Sequence, residues 1–153
     1  MNRIPTSDFT EANLSKLKQL ECDSYSGTNL SMMQHCDSWN AIADYCDCEL
    51  NELRVYIFDN WYLLMAEHED FIELVDLAST SKHTPLFKVL EIVEQYQKPF
   101  TMDCRETTSY RMIQAMEKAG RLEVHEDEAY HRDGEIFHEI EASLIQRNLS
   151  LAR

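Results

Sequence analysis

A chain of 153 residues that is 44% apolar and 10% aromatic carries enough hydrophobic mass for one sizeable core, which excludes a disordered polymer. Its 28 acidic and 14 basic residues leave a net charge of −14, and this excludes nucleic-acid binding by phosphate neutralisation, which needs clustered Lys and Arg. The charge admits a basic partner, a cationic substrate, or an acidic solvated surface.

With only three Gly and three Pro, each is expected to mark a boundary. The first pattern runs from Thr10 to Leu20, where Leu14, Leu17 and Leu20 make a short amphipathic helix that Asp8 or Thr10 caps. Ser24 to Asn29 is polar, contains Gly27, and reads as a loop. Leu30 to Leu50 reads as a second helix, because Met32, Cys36, Trp39, Ala43 and Cys46 recur at steps of four and three.

Three strands follow. Leu53 to Phe58 is rich in β-formers and ends at Asp59-Asn60, a pair suited to left-handed turn conformations. Trp61 to Ala66 returns after it, Glu67 to Asp70 is a polar turn, and Phe71 to Ala78 is apolar enough to predict a central, two-sided strand. Thr84 and Pro85 start a helix as N-cap and first helical residue, with Leu86, Val89, Leu90 and Val93 as its buried stripe.

Lys98-Pro99 ends that segment and Phe100 to Arg105 is a further strand. Thr107 or Thr108 caps the next helix, which carries Met112, Ile113 and Met116 and stops at Gly120. Leu122 to Tyr130 and Glu135 to Ala142 form a closing hairpin that turns at Arg132-Asp133-Gly134. The remaining tail, 143–153, is apolar at Leu144, Ile145, Leu149 and Leu151 and suits packing on this chain or on another copy.

The five cysteines, Cys22, Cys36, Cys46, Cys48 and Cys104, accompany an N-terminus without an apolar signal core. No run is long enough to span a bilayer. A soluble cytoplasmic protein with free thiols is therefore expected. A zinc site from His35, Cys36, Cys46 and Cys48 has poor spacing, and Cys36 and Cys46 fall on the apolar stripe, so no metal is expected. Cys104 as a nucleophile would need a nearby base, and its residue type favours a packed core thiol. His125, His131 and His138 sit among acidic residues on the last hairpin. They suit a divalent metal or a pH-sensitive surface, and a solvated strand face is the expected reading.

The order α-α-β-β-β-α-β-α-β-β, with one further strand near Ile4, resembles the GNAT superfamily of acyl-CoA-dependent N-acyltransferases over nearly the whole chain. The segment Thr107 to Gly120 is similar to a family helix that commonly ends in a Tyr-Glu-Lys-Leu-Gly-Phe-like sequence. The closing hairpin is also similar to that of the small GNAT-like internal core proteins of short-tailed phages. The resemblance implies an α+β fold: a GNAT-like mixed central sheet with splayed parallel strands and flanking helices, in a single domain over 1–142. It implies acetyl-CoA as cofactor, its pantetheine arm in a gap between Phe71–Ala78 and Phe100–Arg105. The implied cofactor-binding set is Leu77, Ala78, Ser79, Lys82, His83, Thr84, Cys104 and Thr108. Glu73 and Asp76 take the position of the general base that accepts the amine proton.

Two departures matter. The family's glycine-rich phosphate loop is replaced by Ser79-Thr80-Ser81-Lys82-His83-Thr84-Pro85, and Pro85 has no N–H to offer. Each missing charge-assisted bond costs about 1.5–3 kcal/mol. Lys82, His83 and the Thr84 hydroxyl can recover part of this. The tyrosine that protonates the leaving thiolate in many members is replaced by Met116, and Tyr110 lies almost two turns earlier.

Three functional readings follow. The leading one is a non-catalytic GNAT-fold protein of phage type, with a protein-binding or virion-structural role in host cytoplasm or virion. It expects a protein partner, admits a homo-oligomer, and expects no direct contact with nucleic acid or membrane. The second is a divergent acyl-CoA-dependent N-acetyltransferase. The third is an acidic, DNA-mimic-like inhibitor of a basic protein.

Overall fold

The computed structural model describes residues 3–4 (backbone alone), 8–24, 33–81 and 86–145. The chain divides into two compact units. The first is Met1–Glu69 with Glu73–Pro85, and the second is Asp70–Ile72 with Leu86–Arg153.

The first unit holds β1 (Arg3–Ile4), α1 (Glu11–Ser24), α2 (Trp39–Tyr45), β2 (Leu53–Ile57), β3 (Trp61–Glu67) and most of β4 (Ile72–Ser79). Short 3-10 helices span Met33–His35 and Leu50–Glu52. Strand order is β1-β2-β3-β4. β1 and β2 pair antiparallel with Ile4 opposite Val55, and β2 and β3 with Leu53 opposite Ala66 and Ile57 opposite Tyr62.

Thr10 caps α1, its Oγ1 accepting the Asn13 N–H at 3.3 Å. Leu14, Leu17 and Leu20 are buried as their spacing requires. The helix runs four residues beyond Leu20 because Glu21 has a buried task. Its carboxylate oxygens accept the Met33 N–H at 3.0 and 2.9 Å, and Oε1 accepts from Gln34 Nε2 at 3.1 Å.

The expected helix over Leu30 to Leu50 is broken. Ser38 is extended, and its Oγ accepts the Ala41 N–H at 3.1 Å, so a new helix starts there. Cys36, Trp39, Ala43 and Cys46 are nevertheless all buried in one core cluster. The periodicity marked a buried face correctly, while a side-chain cap divided the backbone that carries it. Met32 lies outside the described residues. Trp39 is fixed by its Nε1 donating to the Thr10 carbonyl at 2.8 Å and by stacking on Phe9.

The β2–β3 turn does not use the left-handed region. Among the described residues, positive φ at non-glycine positions occurs at Asp47, Gln97 and Asp133, not at Asp59 or Asn60. Instead the Phe58 N–H donates to the Trp61 carbonyl at 2.9 Å, and the two rings stack with centroids 4.0 Å apart. The strand buried almost throughout is β3, from Trp61 to Ala66, rather than β4. β4 is buried at Ile72 and Ala78 and half-buried between, where Glu73 and Asp76 interrupt its apolar run.

The second unit holds α3 (Leu86–Glu94), β5 (Phe100–Arg105), α4 (Ser109–Lys118), β6 (Leu122–Arg132) and β7 (Glu135–Leu144). Its strand order is β5-β7-β6. Both pairs are antiparallel, with Phe100 opposite Ala142, Cys104 opposite His138, and Arg132 opposite Glu135. β7 extends through Leu144, two residues into the segment read as a tail. Leu86, Val89, Leu90 and Val93 of α3 are buried, joined by Ile92.

α4 ends in a Schellman motif: the Arg121 N–H donates to the Met116 carbonyl at 2.9 Å and the Gly120 N–H to Glu117 at 3.0 Å. Gly120, at φ +75, supplies the left-handed residue this ending requires. Thr108 holds the N-cap position of α4 but makes no side-chain capping bond, contrary to expectation. The β6–β7 turn has φ of 52 at Asp133 and 80 at Gly134, the type I′ geometry that matches the twist of a two-residue hairpin.

Candidate functional site

The residues assigned from sequence fall in both units. On β4, Asp76 accepts a hydrogen bond from the Tyr62 hydroxyl at 2.9 Å. Glu73 lies 3.3 Å from His68 Nε2, whose other ring nitrogen is 3.5 Å from Glu52. Leu77, Ala78 and Ser79 close the strand. Ala78 is buried, and the Ser79 hydroxyl accepts the Ser81 N–H at 3.1 Å. Lys82, His83 and Thr84, with Pro85, lie outside the described residues.

Cys104 and Thr108 belong to the second unit. Cys104 is fully buried, and burial, reinforced by Asp103 and Asp127, pushes its thiol up to about 12. At neutral pH it is a protonated core thiol, not a nucleophile. Cys46 is likewise buried and its pKa raised by burial, and the half-buried Cys48 is pushed up to about 11 by the same cause. Among the described residues, no group of three or more His, Cys, Asp or Glu side chains has the arrangement to hold a metal ion.

The best-built polar arrangement is one the sequence reading missed. His138 on β7 is 8% exposed, not part of a solvated face. Its Nδ1 lies 2.7 Å from Asp127 Oδ1 on β6, and its Nε2 lies 3.2 Å from Glu106 Oε1 in the turn before α4. Tyr110 on the first turn of α4 stacks on the imidazole, centroids 3.5 Å apart, and donates its hydroxyl hydrogen to Asp127 Oδ2.

The electrostatics follow from these contacts. Burial disfavours the charged imidazolium, but hydrogen bonds and attraction from Asp127 and Glu106 outweigh it and raise the His138 pKa above its ordinary 6.5. Burial likewise opposes ionisation of Asp127, and the bonds from Tyr110 and His138 overcome it, holding the carboxyl below its ordinary value. Tyr110 is pushed up to about 12, chiefly because its proton is held by Asp127. The cluster thus favours an imidazolium, a carboxylate and a protonated phenol together.

The signal that could have found His138 is strand parity. Residues 138, 140 and 142 share one face of β7, and Ile140 and Ala142 are buried. Beside the cluster lies a concavity of about 600 Å³ lined by Thr101, Ile140 and five carboxylates: Glu126, Asp127, Glu128, Glu139 and Glu141. His125 and His131 on β6 are exposed, as the solvated-face reading expects.

No family model and no curated protein matches the chain. Solved structures do. An acyl-CoA N-acyltransferase from Pseudomonas aeruginosa is similar with a TM-score of 0.57 at 16% identity, over 91% of this chain and 96% of that one. The ribosomal-protein-S18-alanine N-acetyltransferase from Escherichia coli gives 0.54 at 10% identity, over 91% and 94%. A putative acetyltransferase of the GNAT family from Bacteroides thetaiotaomicron gives 0.55 at 12% identity, over 99% and 93%. At these identities the likeness establishes the fold: this chain has the α+β architecture of the GNAT acyltransferases, with a mixed sheet.

Proposed function

We propose that this chain uses the GNAT fold as a non-catalytic scaffold that binds a protein partner, in a phage-type, virion-structural role. The observation that carries this reading is the state of Tyr110. It is a phenol of α4, the helix in which the resemblance places the acid that protonates the leaving thiolate. Its proton is held by Asp127, its ring is stacked on His138, and its pKa is pushed up to about 12. A phenol held this way is a poor donor to a thiolate. Met116, at the position the resemblance assigns to that acid, is buried and has no proton to give. The exposed acidic face of the β6–β7 hairpin supplies surface for a basic partner.

Calorimetry and thermal shift with acetyl-CoA test the proposal. The expected result is no saturable heat and no shift at millimolar ligand. Saturable binding with acetyl transfer to an amine would overturn it in favour of a divergent N-acetyltransferase. All three similar structures are named as acyltransferases or acetyltransferases, and that is the support for the second reading. In it Glu73 or Asp76 accepts the amine proton, and Glu73→Gln or Asp76→Asn lowers kcat. The acidic-inhibitor reading differs from both in requiring salt-sensitive association with a basic protein.

A further inference from the structure

We propose that His138 is a pH-operated latch: as the imidazolium it ties the turn before α4 to the β6–β7 hairpin, and loss of its proton releases that turn and the start of the helix.

The argument is one of hydrogen-bond accounting. A neutral imidazole carries one N–H and one lone pair, whereas an ionised carboxylate only accepts. Both ring nitrogens of His138 face carboxylate oxygens, at 2.7 Å on Asp127 and 3.2 Å on Glu106. Only the imidazolium can donate to both. The groups facing the ring are Asp127 from β6, Glu106 from the turn, Tyr110 from α4 and, directly across the strand pair, the buried Cys104 of β5. Deprotonation leaves one carboxylate opposite a lone pair. Asp127 keeps its place because Tyr110 also binds it, and its contact is the shorter. Glu106, with the longer contact and a side chain 44% exposed, is the one released.

Release matters at that point because the N-terminus of α4 lacks a side-chain cap, which leaves Tyr110, through Asp127 and the His138 ring, as the side chain that still holds its first turn. Thr108 occupies the N-cap and makes no capping bond with its side chain. Glu106 also donates its backbone N–H to the Ile136 carbonyl of β7 at 3.0 Å, so its side chain and backbone hold the turn to the hairpin together. The latch is independent of whether the chain binds a partner or acetyl-CoA.

The test is an NMR titration of the His138 ring in the full chain, assigned with His138→Gln, run alongside amide exchange of Arg111 to Ala115. Val55 and Leu64 serve as internal references. The expected ring midpoint lies above 6.5, and Asp127→Asn lowers it more than Glu106→Gln. Protection factors of the α4 amides should fall several-fold across that midpoint, while those of Val55 and Leu64 stay level. In Glu106→Gln the fall should vanish, because a side-chain amide can donate to or accept from either form of the ring. A midpoint at or below 6.5, or α4 protection that ignores the titration of His138, overturns the latch. If Asp127→Asn fails to fold, Glu106→Gln alone decides, since its side chain is part-exposed and nearly isosteric.

Discussion

Among the described residues, each unit buries one acidic or basic side chain, and they use it differently. Glu21, fully buried in the first unit, spends its carboxylate on backbone and amide donors, the Met33 N–H and the Gln34 side chain. His138, buried in the second, is surrounded by charged and phenolic side chains from β6, α4 and the turn between β5 and α4. A carboxylate that closes a helix end is structural at any pH where it stays ionised. A histidine between two carboxylates is structural only while it keeps two protons. Burial alone therefore does not mark a functional residue; the kind of partner does.

Substitutions sharpen this contrast, the largest effect first. Leu17→Ala, at a fully buried position of the first unit's apolar cluster, should cost about 2–5 kcal/mol by chemical denaturation. A loss under 1 kcal/mol would mean the cluster is not where this unit's stability resides. Glu21→Ala strands the Met33 N–H and should cost about 1–3 kcal/mol. Glu21→Gln, which keeps an acceptor, should cost less. Equal losses would show that charge, not acceptance, is what the site needs.

Gly134→Ala places a Cβ on a residue at φ +80, with no neighbouring atom to clash. The backbone penalty alone should cost about 1–2 kcal/mol, read as a lower melting temperature. An unchanged melting temperature would show that the hairpin turn contributes nothing to the transition.

The smallest effect is the pH slope from His138. Its folded pKa is raised above its unfolded value, so its contribution is full below 6.5 and is lost as pH rises through the folded pKa. Because Asp127 and Glu106 are partly open to solvent, the change should stay below about 1 kcal/mol. Wild type minus His138→Gln, measured by urea titration from pH 6 to 9, isolates it. A difference that grows with pH would reverse the sign and refute the assignment.

Most of the fold was legible in the sequence because its signals are local. Element order, the α3 stripe, the Gly120 stop and the Asp133-Gly134 turn each rest on a few neighbouring residues whose conformational limits act in isolation. The break at Ser38 was harder, since an unbroken apolar period overrode a single capping residue. Of the segment 79–85 that stands in place of the phosphate loop, 82–85 lie outside the described residues, whereas Glu73 and Asp76 lie on the strand read for them. What they touch there, His68 and Tyr62, followed from no local pattern.

By itself the sequence determined the order of helices and strands and most of the faces that turn inward, because periodicity and turn chemistry are properties of short stretches. Tertiary structure alone decided that Glu21 and His138 are buried with satisfied partners. Those partners come from Met33, Asp127 and Glu106, which lie 12, 11 and 32 residues away along the chain. No local pattern encodes which distant donor or acceptor will arrive. A polar residue on an inward face is tolerated only when one does.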